Sequence, residues 1–327
     1  MSKNMDLVKN LYQKDKLEQK PTRDGYGKGL VELGKKNKDV VVLCADLTGS
    51  TRSKMFADEF PERFIEVGIA EQNMMGLAAG LSLVGKIPFV STYAVFCPGR
   101  NWDQLRISVG QNNANVKLTG AHAGVSVGAD GATHQGLEDI AITRCLPNMT
   151  VLAPCDAIET RKATIAAGKT KGPVYLRFAR EATPVFTTQK TPFKIGQAEV
   201  FRKGADVTII ACGPTVHEAL LAADDLEEDG LSIRVINNHT IKPIDQETII
   251  EAAERTGAIV TAEDHQVMGG MGSAVCEVLA KNCPVPVEMI GIQDRWGESG
   301  SPEELMKEFH LLAEDIKEAV KKVLKRK

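Results

Sequence analysis

The amino-acid sequence predicts an α/β protein with two domains, each built on a mainly parallel sheet, the second domain being the smaller. With 327 residues, the chain exceeds what one hydrophobic core usually organises. Apolar, strand-like runs alternate with helical segments, and this order predicts parallel strands with helices on both faces. A polar stretch bearing proline and threonine, residues 181–199, interrupts the alternation. We therefore predict an N-terminal arm at 1–20, a first domain at 21–190 and a second domain at 191–327.

The first domain opens with a helix, which Thr22 or Asp24 can cap and which ends near Gly34 and its neighbouring lysines. The buried strand DVVVLCADL follows. Residues 71–85 carry apolar side chains at helical spacing and form another helix. Further strands are predicted at IPFVSTYAVF, NVKLTGAHAG and MTVLAPC, with helical segments between them.

The second domain repeats this order after the polar stretch. Its predicted strands are DVTIIACG, SIRVINN, GAIVTAEDH and VPVEMIGI. Helices are expected from Thr215 to about Asp229, after Pro243, and after GGMG. GGMG lacks the rest of a nucleotide-binding motif, so we interpret it as a tight turn before a helix.

Composition excludes several classes of function. The chain is 43% hydrophobic and 25% charged with a formal net charge of −3, which argues against disorder and against a nucleic-acid partner. The polar start predicts no signal peptide, and Lys86 and Pro88 interrupt the longest apolar region, so no membrane span is expected. Seven cysteines without a CxxC pair indicate a reduced, cytoplasmic protein.

Glu71 stands directly before a run of small and apolar residues, EQNMMGLAAGLSLVG. A carboxylate in the first turn of a helix can simply satisfy free amide groups. However, Gly76, Ala79 and Gly80 would let another backbone approach closely, which predicts a packed interface. Glu71 would then face a crevice that water barely reaches, where it could share a proton with a ligand.

Polar and aromatic residues downstream indicate a binding site. Tyr93 and Phe96 in STYAVF can be core residues, or a flat heterocycle can stack on one of them. The glycine-rich stretch GAHAGVSVGADGATHQGLEDI allows close approach of a ligand to the backbone. Its two histidines and its aspartate could bind a metal, or they could bind hydroxyl groups while the histidines move protons. These polar residues are His122, Asp130, Thr133 and His134.

Seven stretches together resemble the transketolase family of thiamine diphosphate enzymes, in the family's order and spacing. The resemblance covers about residues 20–320 and corresponds to the second half of a transketolase, its pyrimidine-binding domain followed by its C-terminal domain. The matching stretches are TRDGYGKGLVEL, CADLTGS, RFIEVGIAEQNM, STYAVF, AHAGVSVGADGATHQ, LPNMTVLAPCDAIET and VYLRFARE.

The resemblance implies a role for each matching residue. Glu71 matches the glutamate that hydrogen-bonds N1′ of the aminopyrimidine, Phe96 and Tyr93 match its aromatic pocket, and Asp46 matches an aspartate near the thiazolium. Glu71, His122 and His134 are the implied catalytic residues. Each residue also has a simpler interpretation, such as a surface ion pair for the arginines or a turn for Ser50. The implied substrate-binding residues, for sugar hydroxyls and sugar phosphate, are Arg23, Ser50, His122, Asp130, His134 and Arg180.

Part of the family's cofactor site has no counterpart here. The family holds the diphosphate and its Mg²⁺ or Ca²⁺ with a Gly-Asp-Gly segment followed by an asparagine, and this sequence has no such segment. The resemblance therefore implies a separate N-terminal subunit that binds the diphosphate and is the main binding partner of the metal ion. The two kinds of subunit would form an α2β2 assembly. We expect no metal site in the present chain.

The implied reaction is transfer of a two-carbon ketol group from a ketose phosphate to an aldose phosphate. Ala129 and Ala132 depart from the family's usual glutamate and proline, which leaves the sugars open. The nearest rival is a deoxyxylulose-phosphate synthase, which normally has Asp-Arg where this chain has Ala121-His122. The β subunits of pyruvate-type dehydrogenases rank third, and a noncatalytic regulatory subunit remains a further alternative.

Overall fold

The computed structural model describes residues 6–327. It contains a seven-stranded sheet, a five-stranded sheet and a two-stranded sheet. Helices pack against the two larger sheets. The strands are β1 Gln19–Pro21, β2 Val40–Cys44, β3 Phe64–Glu66, β4 Ile87–Tyr93, β5 Lys117–Ala121, β6 Thr150–Leu152, β7 Val174–Phe178, β8 Ala182–Pro184, β9 Glu199–Arg202, β10 Val207–Ala211, β11 Ile233–Asn237, β12 Thr240–Lys242, β13 Ile259–Gln266 and β14 Val287–Ile292. The helices are α1 Thr22–Lys36, α2 Lys54–Glu59, α3 Glu71–Leu83, α4 Trp102–Gln104, continued by the π-helical segment Leu105–Gln111, α5 Asp139–Arg144, α6 Ala157–Lys169, α7 Thr215–Glu228, α8 Gln246–Thr256, α9 Met271–Asn282, α10 Pro302–Glu308 and α11 Ala313–Leu324, and short 3₁₀ turns span Lys14–Lys16, Pro61–Arg63 and Val125–Val127.

The sheet of the first domain has seven strands in the order β12-β6-β7-β5-β4-β2-β3. All of its neighbours run parallel except β12 and β6. Strands β2, β5 and β7 are buried along their whole length, as parallel strands are when helices cover both faces. The predicted α/β class with a mainly parallel sheet is therefore confirmed.

The strand predicted over residues 87–96 ends early, and its last three residues were assigned wrongly. β4 stops at Tyr93, whose carbonyl accepts hydrogen bonds from the backbone N–H groups of Phe96 and Cys97 at 2.9 and 2.8 Å. The chain therefore curls into helical turns, and Pro98 cannot donate to a sheet. This early end brings Phe96 close to Tyr93 at the edge of the sheet.

Helix α3 is only half buried within the chain. Met74, Met75 and Ala78 face the core, whereas Leu83 and Val84 are 81% and 74% exposed. A Cβ atom built on Gly76 or Gly80 would meet no atom within 4 Å. The close approach that these small residues predict is therefore not made by any described part of this chain.

The second domain is built on a five-stranded sheet in the order β14-β13-β10-β11-β9, of which only β9 runs antiparallel. Its contacts with the rest of the chain include one strand and two leucine side chains of the N-terminal arm. Strand β12 lies within the second domain's sequence but pairs with β6 of the first sheet. Leu7 and Leu11 of the N-terminal arm pack into the second domain's core, while β1 pairs with β8.

No helix within residues 6–327 combines the length and the apolar character needed to cross a membrane. Residues 1–5 of the predicted arm lie outside the described residues.

Candidate active site

The carboxyl ends of β2, β4 and β5 lie at one edge of the first sheet, because these strands are parallel neighbours. Asp46 follows β2, Tyr93 ends β4 and His122 follows β5. Asp46 and His122 adopt positive φ angles of 57° and 55°, which cost about 1–3 kcal/mol for residues other than glycine. Ligands of open α/β sheets bind at this edge, so the strain lies where a site is expected.

Glu71 opens α3 at the same edge, and its side chain is only 2% exposed. Arg100 donates hydrogen bonds to both of its carboxylate oxygens, at 3.0 and 3.1 Å. The guanidinium carbon of Arg100 lies 4.3 Å from the ring centroid of Phe96. A flat group that carries N–H donors therefore bridges Glu71 and Phe96.

Four rings line the floor of the site. Tyr93 stacks on His122 with ring centroids 4.0 Å apart and on Phe96 at 5.8 Å. His134 meets Phe96 edge-on at 5.5 Å and Tyr93 at 6.2 Å. Offset and edge-on aromatic pairs stabilise each other beyond their buried area, so the floor is held in shape.

His122 lies among positive charges. Nη1 of Arg23 donates to the carbonyl of Ser50 at 3.0 Å and lies 3.2 Å from Nε2 of His122. Nε2 of His122 also lies 3.3 Å from the carbonyl of Ser50, so this one nitrogen faces both a donor and an acceptor. Burial, reinforced by the charges of Arg23 and Arg180, lowers the pKa of His122 to about 3. His122 is therefore neutral at physiological pH.

Arg180 and Asp130 pair at the mouth of this cluster, at 3.1 Å, and Arg180 also donates to the carbonyl of Val127 at 3.2 Å. Burial and the neighbouring charges of Arg52 and Arg180 lower the pKa of Arg23. Such mutual repulsion between cations is relieved when an anion binds.

Two polar atoms in the cluster have no hydrogen-bond partner among residues 6–327. They are Nε of Arg23 and Nδ1 of His122, and both are buried. Buried polar atoms without partners are costly unless a bound molecule satisfies them. The cluster is therefore suited to a ligand that carries both an anionic group and hydrogen-bonding groups such as hydroxyls.

The structure brings together every predicted site residue except Asp46. Glu71, Tyr93, Phe96, His122 and His134 are linked by ring contacts and by Arg100. Asp46 is exposed, and its backbone N–H donates to Glu66 at 2.7 Å. Within the described residues, no hydrogen bond or ion pair joins Asp46 to the cluster. The remaining linked residues are Arg23, Ser50, Asp130 and Arg180.

Sequence reasoning missed Arg100. The Pro98-Gly99 pair could have revealed it, because a proline and a glycine after a strand signal a turn that ends the strand. A strand that ends at Tyr93 places Arg100 at the sheet edge. Among residues 6–327, no group of three or more histidine, cysteine or acidic side chains could hold a metal ion.

Comparison with protein families supports the two-part organisation. The family described as transketolase, pyrimidine binding domain, matches residues 18–185. The family described as transketolase, C-terminal domain, matches residues 196–316.

Relatives match the chain along nearly its whole length. A transketolase C-terminal section from Methanocaldococcus jannaschii is 46% identical over 94% of this chain and 97% of its own length. A 6-deoxy-6-sulfo-D-fructose transketolase subunit from a Clostridium species is 42% identical over 95% of this chain and 97% of its own length. Mouse transketolase is 40% identical over 92% of this chain, which spans 48% of that protein.

A solved structure agrees in fold. A split-gene transketolase, determined as an inactive beta4 tetramer, superposes with a TM-score of 0.89 and is 48% identical. The match covers 94% of this chain and 99% of that chain.

Proposed function

The chain belongs to the transketolase family, and from that premise we propose that it is the C-terminal subunit of a split, thiamine-diphosphate-dependent transketolase. It would transfer a two-carbon ketol group from a ketose phosphate to an aldose phosphate. The observation that carries the proposal is the bridge between Glu71 and Phe96, which Arg100 makes at the carboxyl edge of the sheet.

This bridge fits the aminopyrimidine ring of thiamine diphosphate. The guanidinium of Arg100 is planar and nitrogen-rich, hydrogen-bonds Glu71 and lies over Phe96, so it stands in for a flat nitrogen heterocycle. Glu71, Phe96 and Tyr93 would hold the pyrimidine once Arg100 moves aside. Bound thiamine diphosphate supplies the electron sink for cleavage of a carbon–carbon bond.

Glu71 would hold or release a proton at a ring nitrogen. Its 2% exposure limits competition from water, and a carboxylate at hydrogen-bond distance from a nitrogen is a suitable acid–base group. Asp46 is assigned to the neighbourhood of the cofactor by family resemblance alone.

The arginine and histidine cluster would bind the sugar. Arg23 and Arg180 supply positive charge for a phosphate, and the fork of a guanidinium suits its oxygens. The unpartnered Nδ1 of neutral His122 would form a hydrogen bond with a sugar hydroxyl, which can either donate or accept. Asp130 and His134 would orient hydroxyl groups, and His134 would move protons with His122.

A separate subunit would bind the diphosphate together with Mg²⁺ or Ca²⁺, and the enzyme would be an α2β2 assembly. Two observations support a partner. The sequence has no Gly-Asp-Gly segment, and the helix that begins at Glu71 exposes Leu77 and Leu83, with Val84 exposed directly after it. Burial of such an apolar face favours association.

The seven free cysteines suit a reducing compartment, and we propose a cytoplasmic location.

The test is reconstitution with a partner chain that carries a Gly-Asp-Gly segment followed by an asparagine. The complex is assayed with a pentulose phosphate donor and a pentose phosphate acceptor, with and without thiamine diphosphate. Cofactor-dependent ketol transfer supports the proposal. Condensation of pyruvate with glyceraldehyde phosphate instead would assign the chain to the rival synthase, and absence of both reactions would favour a noncatalytic subunit.

A sulfonated ketose is assayed as a second donor, because a relative named for 6-deoxy-6-sulfo-D-fructose is 42% identical. A sulfonate is also a tetrahedral anion that the arginine cluster can bind.

A further inference from the structure

A carboxylate of the second domain holds the glycine-rich segment of the active site, residues 124–130. Asp264 lies near the end of β13 in the second domain. Its two oxygens accept hydrogen bonds from the backbone N–H of Val125 at 2.9 Å, from the backbone N–H of Ser126 at 3.4 Å and from the hydroxyl of Ser126 at 2.9 Å. These residues are nearly 140 positions apart in the sequence, so the contact depends on how the domains dock.

The fit around Asp264 is close. Gly124 has a φ of 85°, and any Cβ atom on it would overlap the carboxylate of Asp264. Behind the carboxylate, Arg177 donates to the backbone carbonyl of Asp264 at 2.6 Å and to Asp139 at 2.9 Å. Arg177 therefore fixes the strand that presents Asp264.

A second contact from the same domain holds the segment further along. The side-chain amide of Gln135 donates to the carbonyl of Glu298 at 2.9 Å. The same amide lies 3.3 Å from the carbonyl of Val125 and 3.4 Å from that of Gly128. Gln135 thus links two carbonyl groups of the segment, those of Val125 and Gly128, to the loop before α10.

The held segment carries substrate-facing groups. Val127 gives its carbonyl to Arg180, and Asp130 pairs with Arg180, so a shift of the segment moves both charges. The second domain contributes no side chain to the ring and arginine cluster described above. Its effect on the site passes through the segment, by the polar bonds of Asp264 and of the Glu298 carbonyl and by the packing of Val125 against Leu305 and Phe309.

We propose that Asp264 is a positioning residue that sets the affinity for the sugar phosphate by holding residues 124–130 in register with Arg180. The inference rests on the proposed function and gives the second domain a part in it. The side chain of Asp264 makes no hydrogen bond to the proposed cofactor-binding or sugar-binding residues. It acts through the backbone of Val125 and Ser126.

The test compares Asp264→Asn with the matched control Glu263→Gln in the reconstituted complex. Glu263 is the neighbouring buried carboxylate, and it accepts the backbone N–H groups of Met271 and Gly272 at 2.7 and 2.8 Å within its own domain. Both variants replace a buried carboxylate that binds two backbone amides. Only Asp264 reaches the active-site segment, so the pair separates positioning from loss of stability.

For Asp264→Asn, KM for the ketose phosphate should rise about tenfold while kcat changes less than about threefold, since ground-state sugar contacts are displaced. The Kd for thiamine diphosphate should stay within about twofold of wild type, because Glu71, Tyr93 and Phe96 lie on other elements. Ser126→Ala, which removes one of the three bonds, should show a smaller rise in KM.

Amide hydrogen exchange in the same complex gives a readout that needs no substrate. A peptide covering residues 120–135 should exchange about tenfold faster in Asp264→Asn and as in wild type in Glu263→Gln. Equal KM values for Asp264→Asn and Glu263→Gln, or unchanged exchange of this peptide, would overturn the inference. If the wild-type complex transfers no ketol group, the proposed function fails on its own, and the exchange measurement still decides whether Asp264 holds the segment.

Discussion

The carboxyl-terminal edges of the two large sheets differ in exposure, although strands and helices alternate in both domains. The edge of the first sheet is open, and the edge of the second sheet is covered by the first domain. At the edge of the first sheet, Asp130 is exposed, His134 and Arg180 are partly exposed, and two buried polar atoms of Arg23 and His122 have no partner within residues 6–327. At the edge of the second sheet, Asn237, Asp264 and His265 are buried and turn toward the first domain.

The contacts of the second edge explain the contrast. Asn237 donates to Glu159 at 2.7 Å, and His265 accepts the backbone N–H of Ile140 at 3.1 Å. The edge at which open α/β sheets usually bind ligands is here occupied by the neighbouring domain. The same architecture therefore supports a ligand site in the first domain and a set of interdomain hydrogen bonds in the second. The difference is whether the edge of the sheet is exposed or buried against the neighbouring domain.

The largest expected effect is at the open edge. Glu71→Ala should fold but lower kcat of the reconstituted complex by about 10²–10⁴-fold, because it removes the proposed acid–base group from its buried position. Steady-state ketol transfer at saturating cofactor measures this. Glu62→Ala, which removes an exposed carboxylate of the same domain, is the control. Wild-type turnover in Glu71→Ala would remove Glu71 from the mechanism.

The contact between the two edges can be tested with two glycines. Gly124 and Gly213 both have positive φ angles, 85° and 64°, but only Gly124 faces Asp264, whereas a Cβ atom on Gly213 would meet nothing within 4 Å. Gly213→Ala should lower the free energy of unfolding by about 1 kcal/mol through backbone strain alone. Gly124→Ala should lower it by about 3 kcal/mol, since overlap with the carboxylate adds to the strain.

Urea denaturation at matched protein concentrations measures both glycine variants. Equal losses for Gly124→Ala and Gly213→Ala would mean that Asp264 moves aside freely and that the two domains are not braced at this point.

A third effect is a pH dependence specific to His122. Its pKa is about 3 in the folded chain, against about 6.5 when unfolded, so between these values the unfolded chain binds a proton that the folded chain does not. Stability therefore rises with pH in this window and falls as pH decreases below about 6.5.

Lowering the pH from about 7.5 to about 5.5 should cost about 1.4 kcal/mol through His122, and His122→Asn should lose this part of the dependence. Unfolding free energies at the two pH values measure it, and exposed His310→Asn is the control for replacing a histidine. If His122→Asn and wild type show the same dependence on pH, His122 is not held neutral by its surroundings.

The smallest expected effect concerns Arg100. If its guanidinium competes with the pyrimidine for Glu71 and Phe96, Arg100→Gln should tighten the binding of thiamine diphosphate to the complex by about threefold, the strength of a half-exposed ion pair. Titration calorimetry measures the Kd. Exposed Arg106→Gln controls for the loss of one positive charge. Weaker binding in Arg100→Gln would show that Arg100 supports the cofactor instead.

Sequence patterns predicted the features that depend on neighbouring residues, namely the strands and helices and their order. The strand and helix alternation predicted the parallel sheets, and helix α7 begins at Thr215 as expected. Residues at the ends of parallel strands meet at one edge of a sheet, and Tyr93 and His122, which the family resemblance assigned to one site, lie together there.

Contacts between distant parts of the chain were not predictable from periodicity. The bond between Asp264 and Val125 spans 139 positions, and β12 leaves its own domain to pair with β6. Periodicity could not decide whether β4 ends at Tyr93, because apolar residues continue to Phe96, whereas the backbone turns before Pro98, which cannot join a sheet. Arg100 reaches Glu71 only because of that turn.

We propose that the open edge of the first domain binds the pyrimidine ring between Glu71 and Phe96. A crystal structure of the reconstituted complex with thiamine diphosphate is the decisive measurement. We expect a ring nitrogen at hydrogen-bond distance from Glu71, the ring over Phe96, and Arg100 displaced from both. A bound cofactor whose ring lies elsewhere, with Arg100 still paired to Glu71, would contradict it.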